Sequence, residues 1–294
     1  MNPVVAEVLG SVGKTFALAG IGLLFQRWWR RDIASLTDLA MKLFVPCLAF
    51  SVITDQVLTA HDLATVTGGA AMVMLATLGV SALVFRLARI EHRGLYLPVA
   101  FMNAANLPFP ILEANYGSQG LGYGVLYYLA TVALLYTVGI AIVSRSPHPR
   151  ELLKTPVALA TAAALVFKVA RVGVPPLLHD TADMVGRAAI PTILFVYGYS
   201  LGGVRMGDLR LAALGAVLRL GLGLALGLGV VRLLGIEGVA RDVVILVSAM
   251  PSAVVNVVIA SQHRADPDLV ASVVLLTSLA SVVLLPVLLI ALRT

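Results

Sequence analysis

The sequence predicts an all-α membrane protein of ten transmembrane helices, built as two inverted five-helix repeats in which helices 4 and 9 are broken and cross. Three observations lead there. With 60% hydrophobic residues, 12% charged residues and a mean hydropathy of +0.97, the 294-residue chain is too apolar for a soluble domain. Ten stretches of mostly apolar residues, each near the ~20 residues that cross a bilayer, are separated by short loops. Two of these stretches are interrupted by proline and asparagine, and the interruptions fall at related positions of an internal repeat.

The stretches run roughly over 4–25, 34–54, 63–85, 95–116, 120–144, 154–172, 181–203, 209–234, 240–261 and 268–292. The first has no basic run before it and no small-residue cleavage pattern after it, so a retained helix is expected rather than a signal peptide. The second carries Asp38 and Lys42 ahead of Pro46, and the seventh carries Asp183 and Arg187 ahead of Pro191. The fourth contains F-M-N-A-A-N-L-P-F-P-I-L, Phe101 to Leu112. Pro108 and Pro110 lack the N–H a helix needs, and their rings push against the carbonyls of Ala104 and Asn106. Lipid cannot satisfy such carbonyls, so broken helices at membrane depth mark places surrounded by protein or by a water-filled cavity. The ninth repeats the device, with Pro251 and Asn256 inside V-S-A-M-P-S-A-V-V-N-V-V-I-A. Gly215, Gly221, Gly223, Gly227 and Gly229 in the eighth are expected to let helices approach closely.

Asp38, Lys42, Pro46 and Phe50 recur as Asp183, Arg187, Pro191 and Phe195, each at a shift of 145. The same shift carries Pro110 to within one residue of Asn256. The halves are then 1–144 and 154–294, joined by a short cytoplasmic linker, 145–153. An odd number of helices per half makes the second half enter from the opposite side, an inverted repeat. Twelve of the 21 Lys and Arg residues fall on one side, five on the other, and four, Lys14, Lys42, Arg187 and Arg219, within spans. The positive-inside rule places both termini outside. The net charge of +6 is thus a matter of loops, and no nucleic-acid partner is expected. Cys47 lies in an apolar stretch and is read as a small buried residue.

Both C-terminal half-helices begin at mid-membrane, so two helix N-termini with their partial positive charges would favour an anion. The residues of that candidate substrate site are Asn103, Asn106, Pro108, Pro110, Pro251, Ser252 and Asn256. Asp38/Lys42 and Asp183/Arg187 have i,i+4 spacing and can each close on their own helix. A charge or proton role is the alternative for these four, because charge within the bilayer is costly. Glu7, Lys14 and Arg219 are expected to be paired charges inside the bundle. Gly198-Tyr-Ser200-Leu-Gly202 matches a nucleophile elbow, but it ends a membrane helix rather than a strand. His61, His92, His148, His179 and His263 fall at loops or span ends, so neither a catalytic base nor a metal site is expected at depth. No nucleotide-binding loop is present, and no cofactor is expected.

The motifs N-A-A-N-L-P-F-P-I-L-E-A-N-Y-G, A-M-P-S-A-V-V-N, D-P-D-L-V-A-S and the late L-L-P resemble the auxin efflux carrier family along the whole chain. That family includes plant auxin exporters and bacterial malonate and malate permeases. Asn103, Pro110 and Gly117 occupy its asparagine, crossover proline and closing glycine. Two positions depart from its pattern: Pro108 stands where a glycine is usual, and Asn256 where plant carriers have a second crossover proline. The resemblance implies the fold of bile acid/sodium symporters and an elevator mechanism. It also implies a static, dimerising scaffold of helices 1, 2, 6 and 7, with helices 3 to 5 and 8 to 10 carrying substrate. The expectation is a homodimeric secondary transporter of small organic anions, mono- or dicarboxylates with auxin-like acids included, in a bacterial inner membrane. The alternatives are a sodium-coupled symporter and a non-transporting membrane sensor.

Overall fold

The computed structural model describes residues 3–56, 59–144, 155–170, 172–203 and 206–293. The linker 145–153, with His148, lies outside them. The described chain is helical, and its one feature of β type is an isolated antiparallel bridge between Met102 and Ser252. In order come α1 (Pro3–Trp29), α2 (Ala34–Asp55), α3 (Ala60–Leu87), α4 (Tyr96–Ala100) and α5 (Pro108–Ser144). They are followed by α6 (Pro156–Ala170), α7 (Pro176–Gly186), α8 (Ala189–Gly202) and α9 (Leu209–Leu234). The last are α10 (Gly238–Ser248), α11 (Val255–Gln262) and α12 (Pro267–Arg293).

Seven helical segments are long and apolar enough to cross a membrane, which makes the chain a multi-pass membrane protein. α4, α10 and α11 are too short to do so alone. The fourth and ninth apolar stretches are therefore not continuous helices. In the fourth, the unwinding precedes the prolines. Pro108 occupies the first turn of α5, where a missing N–H costs nothing and a fixed φ favours the helix. Further along α5, Gly117 has φ 61° and ψ −158°, a conformation open essentially to glycine alone, and it divides α5 into two limbs.

Helix ends are set by local chemistry. Thr59 and Asp62 close a reciprocal capping box at the start of α3, with bonds of 3.0 and 2.9 Å. Asp208 caps α9, and left-handed Gly235 ends it. α1 lies against α8 so closely that Gly22 meets the Phe195 carbonyl and Gly198 the Ala19 carbonyl. Gly198 of the G-x-S-x-G match is thus a packing residue, and Ser200 spends its hydroxyl on the Val196 carbonyl at 2.8 Å. On α9, Gly215, Gly223 and Gly227 sit in close contacts, whereas Gly221 and Gly229 face open space. α2 packs on α6 and α7, while α3, α9, α10 and α12 gather around α4 and α5. Leu97, Val99, Phe101, Leu107, Phe109, Val243, Leu246 and Val247 are fully buried at the centre of that second group.

Candidate functional site

The two unwound segments, 101–107 and 249–254, cross as short antiparallel strands. The Asn103 N–H donates to the Pro251 carbonyl at 2.7 Å, and the Ala253 N–H donates to the Phe101 carbonyl at 3.2 Å. Each broken helix thereby supplies partners that the other lost on unwinding, as buried backbone polar groups require. Side chains complete the joint. Asn256 Nδ2 donates to the Phe101 carbonyl at 2.8 Å and to Ser252 Oγ at 3.1 Å. Asn103 Oδ1 accepts the Asn106 N–H at 2.9 Å, and the Ser252 N–H donates to Thr277 Oγ1 at 3.1 Å.

Among the described residues, two buried polar atoms at this crossing lack a well-formed hydrogen bond: the donor Asn103 Nδ2, whose amide lies toward the Tyr197 hydroxyl, and the acceptor Asn256 Oδ1. Both residues are essentially inaccessible, at 3% and 0% exposure. Such atoms are costly to leave unmet, at about 1–3 kcal/mol each. Beside them lies a cavity of about 100 Å³ lined by Met102, Asn103, Asn106, Tyr128, Thr131 and Ala253 among others. That is room for about three waters at ~30 Å³ each, so the site is narrow in this conformation.

The ligand donors differ from those expected. Pro108 and Pro110 have no N–H, and the Phe109 N–H is spent on the Ala105 carbonyl at 3.1 Å. The start of α5 thus offers a partial charge without free donors in these three residues. At the crossing Asn103 Nδ2 adds a side-chain donor to the main-chain N–H groups of Ala104, Ala105, Val254 and Val255, which make no hydrogen bond among the described residues.

Arg219, expected to be a paired charge, has no acidic partner among the described residues. It is fully buried, and its guanidinium donates to the carbonyls of Val99 (3.0 Å), Ala100 (3.1 Å) and Ser248. These carbonyls end α4 and α10, where the helices stop and the last turns lack intrahelical donors. One cation thus caps both broken helices and meets the negative ends of both dipoles. Gly223, one turn on, leaves the space: a Cβ there would collide with Arg219 Nη2 and the Ser248 carbonyl. Ser248 is further held by Tyr127 at 2.9 Å, and Tyr197 donates to Ser278 Oγ at 2.7 Å.

Not all candidates converge. Asn103, Asn106, Pro251, Ser252 and Asn256 meet at the crossing, while Pro108 and Pro110 begin the helix that leaves it. Lys42 binds Asp38 at 2.6 Å and Arg187 binds Asp183 at 2.6 Å, each closing on its own chain segment with side chains turned outward. Lys42 sits in a π turn, Ala40–Phe44, and Arg187 at the break between α7 and α8, so the repeated charge pairs mark repeated distortions. Asn115 was unremarked as a site residue. Its amide donates to Ser11 Oγ at 3.0 Å and accepts from Arg293 at 3.1 Å, joining α5 to α1 and α12. Arg293 also binds Glu7 at 3.0 Å, so Glu7 is a paired charge.

The sequence profile of the membrane transport protein family matches residues 11–151 and 145–289. An uncharacterized transporter of Methanothermobacter thermautotrophicus is 26% identical over 200 residues, which span 66% of this chain and 66% of that one. With two profile matches that together run almost from end to end, and with the motifs of helices 4 and 9 meeting in one buried crossing, the chain belongs to the auxin efflux carrier family of membrane transport proteins: it is a transporter and not an enzyme.

Proposed function

We propose that the chain is a secondary active transporter of small organic anions, mono- or dicarboxylates, which bind at the crossing of the two broken helices. The observation that carries this reading is the buried donor Asn103 Nδ2, which lacks a well-formed hydrogen bond, beside a cavity flanked by helix N-termini. Such an amide donor is poised for a carboxylate oxygen, and a hydrogen bond to a charged group adds about 1.5–3 kcal/mol. The narrowness of the cavity is consistent with alternating access, in which substrate enters once the surrounding helices part.

Ten passes, as two inverted repeats, support that cycle. α4 with the first limb of α5 makes one pass, and α10 with α11 another. The Arg293 to Glu7 pair favours an even number, because it holds both chain ends on one face. The packing of α1 on α8 and of α2 on α6 and α7, with α5 and α12 as their contacts to the helices around the crossing, supports a scaffold and a moving elevator domain. The Asp38/Lys42 and Asp183/Arg187 pairs, exposed within apolar spans, favour a scaffold face covered by a second copy, a homodimer. Loop charges favour an inner membrane with both termini outside.

Counterflow of radiolabelled carboxylates into liposomes containing the purified chain tests the proposal. Binding without counterflow would refute transport and favour a sensor. A sodium-coupled cycle has one observation in its favour, the unpartnered acceptor Asn256 Oδ1 next to Ser252. It requires uptake to depend on Na⁺.

A further inference from the structure

A second cavity, of about 460 Å³, lies between α1, the first limb of α5, and α8. It shares no lining residue with the cavity at the crossing. Its α1 wall is Glu7, Gly10, Ser11, Lys14, Thr15 and Leu18, a single helical face by its spacing of three and four. Opposite stand Pro110 and Ala114, with Ile190 and Leu194 closing the side. Most of the polar groups on this face are already engaged. Glu7 is bound by Arg293 at 3.0 Å, Ser11 Oγ accepts from Asn115 at 3.0 Å, and Thr15 donates to the Ser11 carbonyl at 3.0 Å. Lys14 is exposed, and among the described residues it has neither an ion pair nor a hydrogen bond.

Charge therefore does not balance in this cavity. Lys14 is eleven residues into α1, about 16 Å from its start at 1.5 Å per residue. That is near the middle of a ~30 Å hydrocarbon core, where an uncompensated ammonium is expensive. Arg293 cancels Glu7, leaving one net positive charge amid Leu18, Ile190, Leu194 and Pro110. The volume falls within the ~300–1,000 Å³ typical of small-molecule sites.

We propose that this cavity is a second ligand site, for an organic monocarboxylate with an apolar body, whose carboxylate pairs with Lys14 Nζ. The depth of Lys14 favours a free carboxylate over a phospholipid headgroup, whose phosphate lies at the surface. The site stands independently of the crossing: a failed transport assay leaves it intact, and its loss leaves the crossing intact.

The test uses the full chain in neutral nanodiscs with benzoate as the probe, read by equilibrium binding beside melting temperature. Lys14→Gln is expected to weaken binding about tenfold or more, the equivalent of ~1.4 kcal/mol, with the melting temperature unchanged. Lys14→Arg, which keeps the charge, should bind within about threefold of the parent, a difference below ~0.7 kcal/mol. Gly10→Leu should weaken binding as Lys14→Gln does, because a Cβ at Gly10 meets no atom within 4 Å and the larger side chain can enter the cavity. In an Ala114→Cys variant on a Cys47→Ser background, which keeps Lys14, benzoate should slow labelling of the introduced thiol. Parental affinity in both Lys14→Gln and Gly10→Leu would overturn the proposal. So would benzoate binding lost in Asn103→Ala but kept in Lys14→Gln, or thiol protection that needs anionic lipid and not benzoate.

Discussion

Replacing Arg219 by methionine keeps the length and apolar stem of the side chain and removes its donors. Three carbonyls then lose their partners: Val99 and Ala100 at the end of α4, and Ser248 at the end of α10. A buried acceptor left unmet costs about 1–3 kcal/mol, so the three sum to roughly 3–9 kcal/mol. Removing the buried charge returns part of this, but exchanging an ion for an apolar group is neutral only when its partners are exchanged too. Main-chain carbonyls cannot be. A net loss of about 3 kcal/mol is expected, at roughly 2 °C per kcal/mol for a chain of this size, or about 6 °C in melting temperature. Arg219→Lys should fall between, since a single ammonium lacks the fork that spans both helix ends. The assay is thermal unfolding of the purified protein in one detergent at one scan rate, followed by size-exclusion chromatography. Melting of Arg219→Met within 1 °C of the parent would refute the capping role (a shift under ~0.5 kcal/mol).

The two crossover asparagines should separate. Asn103→Ala removes the Nδ2 donor and should lower carboxylate affinity about tenfold with a small melting shift, whereas Asn256→Ala, which unties Phe101, should lower both. Ligand binding and melting of the two variants check this. Gly117→Ala forces a Cβ into a glycine-only conformation and should cost about 1–3 kcal/mol, visible as a fall in melting temperature of a few degrees. Gly223→Ala places a methyl against Arg219 and the Ser248 carbonyl and should destabilise by a similar or larger amount, measured in the same way. Reporter fusions after Arg31 and Arg93 should read as cytoplasmic and fusions after Thr294 as external; a cytoplasmic C-terminus would refute the ten-pass reading.

Helix breaks were legible because proline and asparagine within an apolar run leave a backbone that lipid cannot satisfy. The shift of 145 made the two breaks a pair, and they do meet, at Met102 and Ser252. The unwinding lies before Pro108, on the side of the Ala104 and Asn106 carbonyls, because proline forbids the helix interior and favours its first turn. The partners of Arg219 were illegible for another reason. A search for a carboxylate cannot find acceptors that are main-chain carbonyls, which any sequence at 99, 100 and 248 would provide. Free N–H groups were expected where α5 begins, but the same prolines that break the stretch remove those donors. The bridging role of Asn115 was not legible because its partners, Ser11 and Arg293, lie at opposite ends of the chain.

The crossing also dictates an order of events at the ribosome. Phe101 and Asn256, joined at 2.8 Å, are 155 residues apart in the chain. At about 5–20 residues per second, the first broken helix waits on the order of ten to thirty seconds before its partner is synthesised. Through that interval the bare main chain of 101–107 has no second strand, and Val99 and Ala100 have no Arg219. Its polar groups must be held by water or by the insertion machinery, because lipid offers them nothing. The N-terminal half is therefore a long-lived nascent intermediate rather than an autonomous folding unit, and the burden of biogenesis falls on its completion by the second half.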